Sequence, residues 1–233
     1  MWYGGIATAD CVGCNLRCAF CGPILSWMKK PTVGEYKSPK EVVKLLSMIA
    51  YKRGYRYIRV SGGEPTICME HLIQVLEEAR NLPFLFILET NGILFGVHKE
   101  YVEMLSEYPN IHIRVSIKGA NENEFERLTQ AKKEFFKYQI QALVNLLDVG
   151  VSFHPAVVAS FSTQDSINEL KAKLNKISSE LTDALEIEYI VLYPHVIRSL
   201  LKHGITPTRA YTTNWRLISG KEFEMLYARY RER

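Results

Sequence analysis

The sequence predicts an α/β protein built on a parallel sheet, and three observations carry that expectation. Six short β-branched or apolar runs alternate with helical stripes along the chain, and alternation of this kind needs right-handed crossovers that leave the strands parallel. The run from Phe84 to Thr90 is apolar almost throughout, as in a strand covered on both faces. A chain of 233 residues with 47% apolar residues buries one sizeable core and is short for two, so a single domain over 1–233 is expected. Periodicity leaves two architectures open, a doubly wound sheet and a sheet curved into a partial barrel.

The elements follow in order. Gly4-Gly5-Ile6-Ala7-Thr8-Ala9 reads as a first strand weakened by its glycines, and it feeds a cysteine-rich loop. Gly22 to Lys37, with Pro23, Pro31 and Gly34, reads as further loop whose Trp27 and Met28 fold over that site or against a partner. Ser38, Pro39 and Glu41 form a helix start with a capping box, and Val42, Leu45, Leu46 and Ile49 give its apolar face. Tyr57 to Ser61 is a strand, Leu72, Val75, Leu76 and Ala79 mark a helix, and Phe84 to Thr90 is the third strand. The turn signal Asn91-Gly92 leads to a helix with Tyr101, Val102 and Leu105. Ile111 to Ile117 alternates as a strand, and a helix with Phe136, Ile140, Leu143, Val144 and Leu147 follows. Val151 to Val158 is the fifth strand, Ile167, Leu170, Leu174, Ile177 and Leu181 form one long stripe, and Ile187 to Tyr193 is the sixth strand.

In the C-terminal extension, His203 to Ser219 lacks a helical period and carries Arg209, Tyr211, Trp215 and Arg216. It reads as a lid or docking segment, or as a surface wrap pinned by Trp215. Phe223, Leu226, Tyr227 and Tyr230 suggest a last helix before a basic end. The net charge of +4 is mild and dispersed, which permits an anionic partner without demanding one. The chain has no run of 18 apolar residues and no signal-peptide pattern, and its cysteines are crowded. A soluble, cytoplasmic protein in a reducing compartment is expected, with no membrane role. Nucleic acid is an unlikely partner, since no recognised RNA-binding module is present.

The chemistry is concentrated in Cys14-Asn15-Leu16-Arg17-Cys18-Ala19-Phe20-Cys21, a C-x3-C-x2-C spacing. Three thiolates so close can all reach one metal centre, and a four-iron cubane held by three of them keeps one iron without a side-chain ligand. Cys11 extends the run to C-x2-C-x3-C-x2-C, which raises a zinc site or an electron-transfer cluster as alternatives. The gaps differ from a ferredoxin run, and the pairs are closer than in a zinc ribbon. A second word, Gly62-Gly63-Glu64-Pro65, follows the second strand, and at average composition it arises on the order of once in 10^5 positions. Its two glycines let the backbone turn sharply and approach a ligand with amides and carbonyls exposed.

Together these words resemble the radical SAM superfamily, whose signature has the same cysteine spacing with an aromatic residue, here Phe20, before the last Cys. The resemblance implies a partial (β/α)6 TIM-like barrel with its core at about 7–193 and a C-terminal extension at 194–233. It implies a [4Fe-4S] cluster on Cys14, Cys18 and Cys21, with S-adenosylmethionine (SAM) on the open iron. Gly62, Gly63 and Glu64 would meet the methionyl amino group, and Ser116 and Lys118 of Val115-Ser116-Ile117-Lys118-Gly119 its carboxylate or the ribose. Phe20 would offer a face to the adenine, with Ile190 and Leu192 opposite. The reaction implied is reductive cleavage to a 5′-deoxyadenosyl radical that abstracts hydrogen from a substrate. This needs an external one-electron donor such as a flavodoxin or ferredoxin, anaerobic handling, and no side-chain acid or base.

In barrels of this type the site lies at the C-terminal strand ends. That adds Glu89, Thr90, Asn91, Ser160 and His195 as candidates, Asn91 among the cofactor-binding set. His154 reads as a satisfied core or rim side chain, Cys68 as a small buried hydrophobe near a helix start, and Cys11 as structural or as placed near the open iron in the resting state. Within the superfamily, Leu88-Glu89-Thr90-Asn91-Gly92 and Leu128-Thr129 are similar to the compact activases of glycyl-radical enzymes, of the pyruvate formate-lyase activating type, which act on a partner protein. The chain departs from them in Thr8-Ala9-Asp10-Cys11-Val12-Gly13 and in Gln130, where activases carry glycine. The Thr-Asn-Gly word is equally similar to 7-carboxy-7-deazaguanine synthase, which acts on a small molecule. Outside catalysis stands a non-catalytic iron–sulfur electron carrier.

Overall fold

The computed structural model describes residues 5–22 and 34–231; Trp27 and Met28, with Pro23 and Pro31, lie outside the described residues. The sheet is formed by β1 (Ala7–Cys11), β2 (Tyr57–Gly62), β3 (Leu85–Thr90), β4 (Ile111–Ile117), β5 (Phe153–Val158) and β6 (Glu186–Glu188), hydrogen-bonded in that order. The pairs β1–β2, β2–β3, β3–β4 and β5–β6 are parallel. An order that never reverses is that of a partial (β/α)6 barrel core, since a doubly wound sheet turns back at a switch point. The chain divides into two compact units, residues 1–15, 25–115 and 137–154 in one and 16–24, 116–136 and 155–233 in the other. β4 and β5 each begin in the first unit and end in the second.

In the first unit, α1 (Pro39–Arg53) starts at Ser38, whose side chain accepts from Glu41 N while the Glu41 carboxylate accepts from Ser38 N, the expected capping box. It ends at Gly54, whose φ of 67° suits a residue without a Cβ. Its buried side is Val43, Leu46 and Ala50, and Leu45 and Ile49 are exposed. Of the expected face Leu46 is buried and Val42 half-buried, while Val43 and Ala50 take the places of Leu45 and Ile49, because a helix apolar on two sides fits more than one stripe. α2 (Met69–Ala79) buries Leu72, Val75, Leu76 and Ala79 as expected. Short helices α3 (Ile93–Val97) and α4 (Lys99–Leu105) follow β3, and α4 buries Val102 and Leu105. α6 (Phe136–Val149) follows α5 (Glu122–Thr129) and buries Phe136, Leu143 and Leu146 together with Gln139 and Asn145; Ile140, Val144 and Leu147 are only half-buried. The polar pair displaces the apolar stripe because each amide satisfies a backbone carbonyl, Gln139 that of Asn91 at 2.6 Å and Asn145 that of Phe95 at 2.7 Å.

The second unit gathers Phe20, Leu128, Val158, Phe161, Leu192, Val196, Leu200, Phe223 and Tyr227 into one apolar cluster. Full burial of each such side chain stabilises by about 1.5–3 kcal/mol. The long stripe expected after the fifth strand is two helices, α7 (Gln164–Asn175) and α8 (Ser179–Asp183); Thr163 caps the first and Ser178 the second. β6 has three residues rather than Ile187 to Tyr193. Its continuation bonds elsewhere, with Ile190 N donating to Ser160 Oγ at 2.8 Å and Leu192 N to Tyr211 O at 2.8 Å, and Pro194 then opens α9 (Pro194–Lys202). The extension is ordered structure with its own strands, β7 (Arg209–Tyr211) antiparallel to β8 (Leu217–Ser219), and a final α10 (Lys221–Arg231). Trp215 sits at φ 63° and is 63% exposed, its ring 6.0 Å from that of Tyr211 in β7, so it holds only its own hairpin.

Candidate functional site

In the first unit, the Gly62-Gly63-Glu64 strip lies directly against the cysteine loop. Gly63 N donates to Cys11 O at 2.7 Å and Glu64 N to Gly13 O at 2.8 Å. A Cβ on Gly63 would stand 2.0 Å from Gly13 O, and one on Gly62, whose φ is 87°, 2.7 Å from Asp10 Cβ. The glycines therefore serve backbone-to-backbone approach, and these two amides are committed to the loop rather than turned to a ligand.

Glu64 is the hub of this unit. It is 3% exposed, and its carboxylate accepts four bonds: Thr66 N at 3.2 Å, Thr66 Oγ1 at 2.6 Å, Thr90 Oγ1 at 2.6 Å and Asn91 N at 2.7 Å. A buried carboxylate is tolerated when donors saturate it in this way. Asn91 carries the network onward, its Nδ2 donating to Asn15 Oδ1 at 2.7 Å and its Oδ1 accepting from Ile93 N at 3.1 Å. The residue after Cys14 is thereby tied to the end of β3 across 76 positions of sequence. Composition gives no warning that Glu64, Thr90 and Asn91 form one unit of hydrogen bonds; the motif named Glu64, and β3 supplied the rest.

One face of the sheet carries charge. The register aligns Arg59 with Ile87, Ile87 with His112 and Glu89 with Arg114, so Arg59, Glu89, His112 and Arg114 share a face. Arg59 Nη1 donates to Glu89 Oε1 at 2.9 Å, yet its Nε is buried without a hydrogen-bond partner among the described residues. His112 Nε2 shares a 2.7 Å hydrogen bond with His154 Nδ1, and His112 Nδ1 one of 2.8 Å with Ser152 Oγ. Burial, then the neighbouring His154, pushes His112 down to about 4. His154 is thus a satisfied buried side chain, as expected.

All five cysteines are thiols rather than disulfide halves. Cys14 belongs to the first unit and Cys18 and Cys21 to the second; no group of three His, Cys, Asp or Glu side chains that could hold a metal ion is gathered among the described residues. The donor set nevertheless fits the cluster that the motif implies. Three part-exposed thiols are soft donors of the kind iron–sulfur clusters take, and Cys21 N donates to Cys18 O at 3.1 Å, closing a turn that holds the last two together. Burial, followed by the charges of Glu64 and Asp10, pushes the Cys11 thiol up to about 11, so it stays protonated and suits a structural role. Cys68 corrects an expectation: it lies at the start of α2 but is exposed.

In the second unit, Phe20 is 8% exposed and packs on Phe161 with ring centroids 5.4 Å apart; Leu192 lies in the same apolar cluster and Ile190 against it. Lys118 Nζ donates to Ser116 Oγ at 2.6 Å. Ser160 is wholly buried and serves as a strut, its hydroxyl accepting from Ile190 N and its carbonyl from Thr208 N. His195 Nε2 donates to Gly22 O at 2.6 Å, one residue beyond Cys21.

The family model for the radical SAM superfamily matches residues 10–174. The chain belongs to the radical SAM superfamily. Its members are enzymes that work with a [4Fe-4S] cluster and S-adenosylmethionine. A GTP 3′,8-cyclase of Paenarthrobacter nicotinovorans is 34% identical over 120 residues, 50% of this chain and 32% of that protein. A 7-carboxy-7-deazaguanine synthase of Methanothermobacter thermautotrophicus is 28% identical over 104 residues, 45% of this chain and 39% of that protein. The chain therefore matches well under two thirds of these relatives' lengths. Among solved structures, anSMEcpe with bound AdoMet and a Kp18Cys peptide superposes with a TM-score of 0.58 at 18% identity, over 85% of this chain and 59% of that one, a likeness of fold. These relatives are not glycyl-radical activases, so the activase branch expected from the sequence lacks their support. No helix among the described residues is long and apolar enough to cross a membrane.

Proposed function

We propose that the chain cleaves S-adenosylmethionine reductively and uses the product radical on a small polar heterocycle of the purine or nucleotide kind. Cys14, Cys18 and Cys21 would hold the cluster. When bound, the cluster would supply the single electron that reduces the sulfonium, the chemistry by which S-adenosylmethionine yields methionine and a 5′-deoxyadenosyl radical able to take hydrogen from a substrate. The protein's own part is positional. Glu64 fixes the Gly62-Gly63 strip, leaving carbonyls of that strip for the methionyl ammonium, and Ser116 and Lys118 supply donors for a carboxylate or hydroxyl. Phe20 closes the apolar side of the cysteine loop and keeps water from it.

The observation that carries the substrate class is the buried Arg59 Nε without a partner among the described residues, on the same sheet face as Glu89 and Arg114. An orphaned donor on a guanidinium suits an acceptor-rich ligand, a heterocycle carbonyl or an anionic group. The names of the matched cyclase and deazaguanine synthase point the same way. The test is anaerobic reconstitution with iron and sulfide, addition of dithionite and S-adenosylmethionine, and measurement of 5′-deoxyadenosine with and without purine nucleotides and deazapurine precursors. Supporting results are stimulated release by one of them and deuterium transfer from it into 5′-deoxyadenosine. Release stimulated only by a partner polypeptide would return the activase reading, and a bound cluster with no cleavage would leave an electron carrier.

A further inference from the structure

Within the second unit, α9 is fastened along the cysteine loop at both ends. At its start His195 donates to Gly22 O at 2.6 Å. At its end His203 accepts at Nε2 from Gln130 Nε2 at 3.1 Å, and the same amide donates to Arg17 O at 2.8 Å. Gln130 holds this bridge from a left-handed backbone, φ 60°, at the C-cap of α5. The loop itself is laid on α5, with Arg17 N donating to Thr129 O and Ala19 N to Leu128 O.

The exposed charges around this assembly are mostly positive. α9 buries Val196, Ile197 and Leu200, exposes Arg198 and Lys202 one turn apart, and contains no acidic residue. Arg17, in the loop itself, is half-buried with its guanidinium on Leu16 O, while exposed Lys132 and Lys133 lie just past the bridge residue Gln130. Against these four exposed cations stand exposed Glu126 and Glu134. Lys202 also favours the helix C-terminus, but that accounts for neither Arg198 nor the lysine pair.

We infer that this face, Arg198 and Lys202 of α9 with Lys132 and Lys133, is the docking surface for an acidic protein that delivers single electrons, of the flavodoxin or ferredoxin kind. The inference rests on the proposed reductive cleavage, which consumes an electron that no side chain of this chain supplies. One feature favours such a protein over RNA. The cations flank the loop that carries Cys18 and Cys21, where an electron is needed. Opposite charge speeds encounter by 10-fold to 10^3-fold, and screening removes that gain as salt rises.

The full reconstituted chain is compared with the doubly substituted Arg198→Glu, Lys202→Glu protein, and separately with Lys132→Glu, Lys133→Glu. Release of 5′-deoxyadenosine is driven either by dithionite or by photoreduced flavodoxin, and flavodoxin affinity is measured apart from turnover by titration calorimetry. The expected result is an unchanged dithionite-driven rate, at least a tenfold rise in the flavodoxin KM and Kd, and a weaker salt dependence in both variants. Flavodoxin affinity and KM within twofold of the unsubstituted chain in both variants would overturn the inference. So would unchanged flavodoxin values alongside lost retention of RNA, which would give the surface to nucleic acid. Absence of cleavage with dithionite in the unsubstituted chain would sink the proposed reaction instead, and the calorimetric comparison would still decide the surface.

Discussion

Replacing Glu64 by Gln tests the hub most directly, because the change keeps the shape and removes one acceptor. The carboxylate takes three donors on Oε1 and the Asn91 N–H on Oε2. A glutamine has one oxygen, best spent on the three donors, so its NH2 must face the Asn91 N–H at a separation that was 2.7 Å. One charge-assisted bond worth about 1.5–3 kcal/mol is lost, and a buried N–H is orphaned at a further cost of about 1–3 kcal/mol. Relief from desolvating a carboxylate offsets part of this. The net is about 3 kcal/mol, or roughly 6–12 °C in Tm for a chain of this size.

The measurement is thermal unfolding of the apo chain, paired with the EPR change that S-adenosylmethionine produces in the reduced cluster. Thr90→Val, which removes another donor to Glu64, completes a double-mutant cycle with an expected coupling of about 1–3 kcal/mol. A Glu64→Gln protein melting within 1 °C of the parent, with additive Thr90→Val, would refute the account of the hub.

Three further outcomes follow from the same geometry. Gly63→Ala, whose Cβ meets Gly13 O at 2.0 Å, should destabilise by at least ~2 kcal/mol and lower iron retained per chain. Ala at Cys14, Cys18 or Cys21 should abolish the brown chromophore, while Cys11→Ala and Cys68→Ala keep it; iron and sulfide assays decide. On pH, His112 is depressed from 6.5 to about 4, so its neutral form favours the fold, and its contribution is present above pH 6.5 and lost as pH falls through about 4. His112→Gln should flatten the urea midpoint against pH across that window. On the alkaline side the Cys11 thiol is raised from 9.0 to about 11, so stability is full below pH 9 and falls as pH climbs to about 11, a limb that Cys11→Ala should shorten.

Much of this was legible in the sequence. The strand runs gave β2, β3 and β4 to within a residue because β-branched and apolar clusters bounded by glycine and asparagine have few other solutions. Sequential strand order was not readable from periodicity, since a doubly wound sheet has the same alternation of runs. α9 was missed because Pro194 and His195 looked like a strand end, and its stripe of Val196, Ile197 and Leu200 is short. The α6 face was misjudged where Gln139 and Asn145 occupy buried positions, a choice set by carbonyls of Asn91 and Phe95 about 50 residues away. Local pattern carries no information about such long-range satisfaction.

The same distinction runs through the site. A word such as Gly62-Gly63-Glu64-Pro65 names residues, and its first physical reading turns the amides toward a ligand. In the fold those amides hold the cysteine loop, and the carboxylate gathers Thr66, Thr90 and Asn91. Asn91 in turn holds Asn15 and is held by Gln139. Loop, strip, strand end and α6 thus form one chain of hydrogen bonds in the first unit, and its members support one another. If that is so, Gln139→Leu, placed on α6 outside both the strip and the loop, should weaken cluster retention through Asn91. Iron retained per chain measures it, and retention equal to the parent's would mean that Asn91 keeps its place without Gln139.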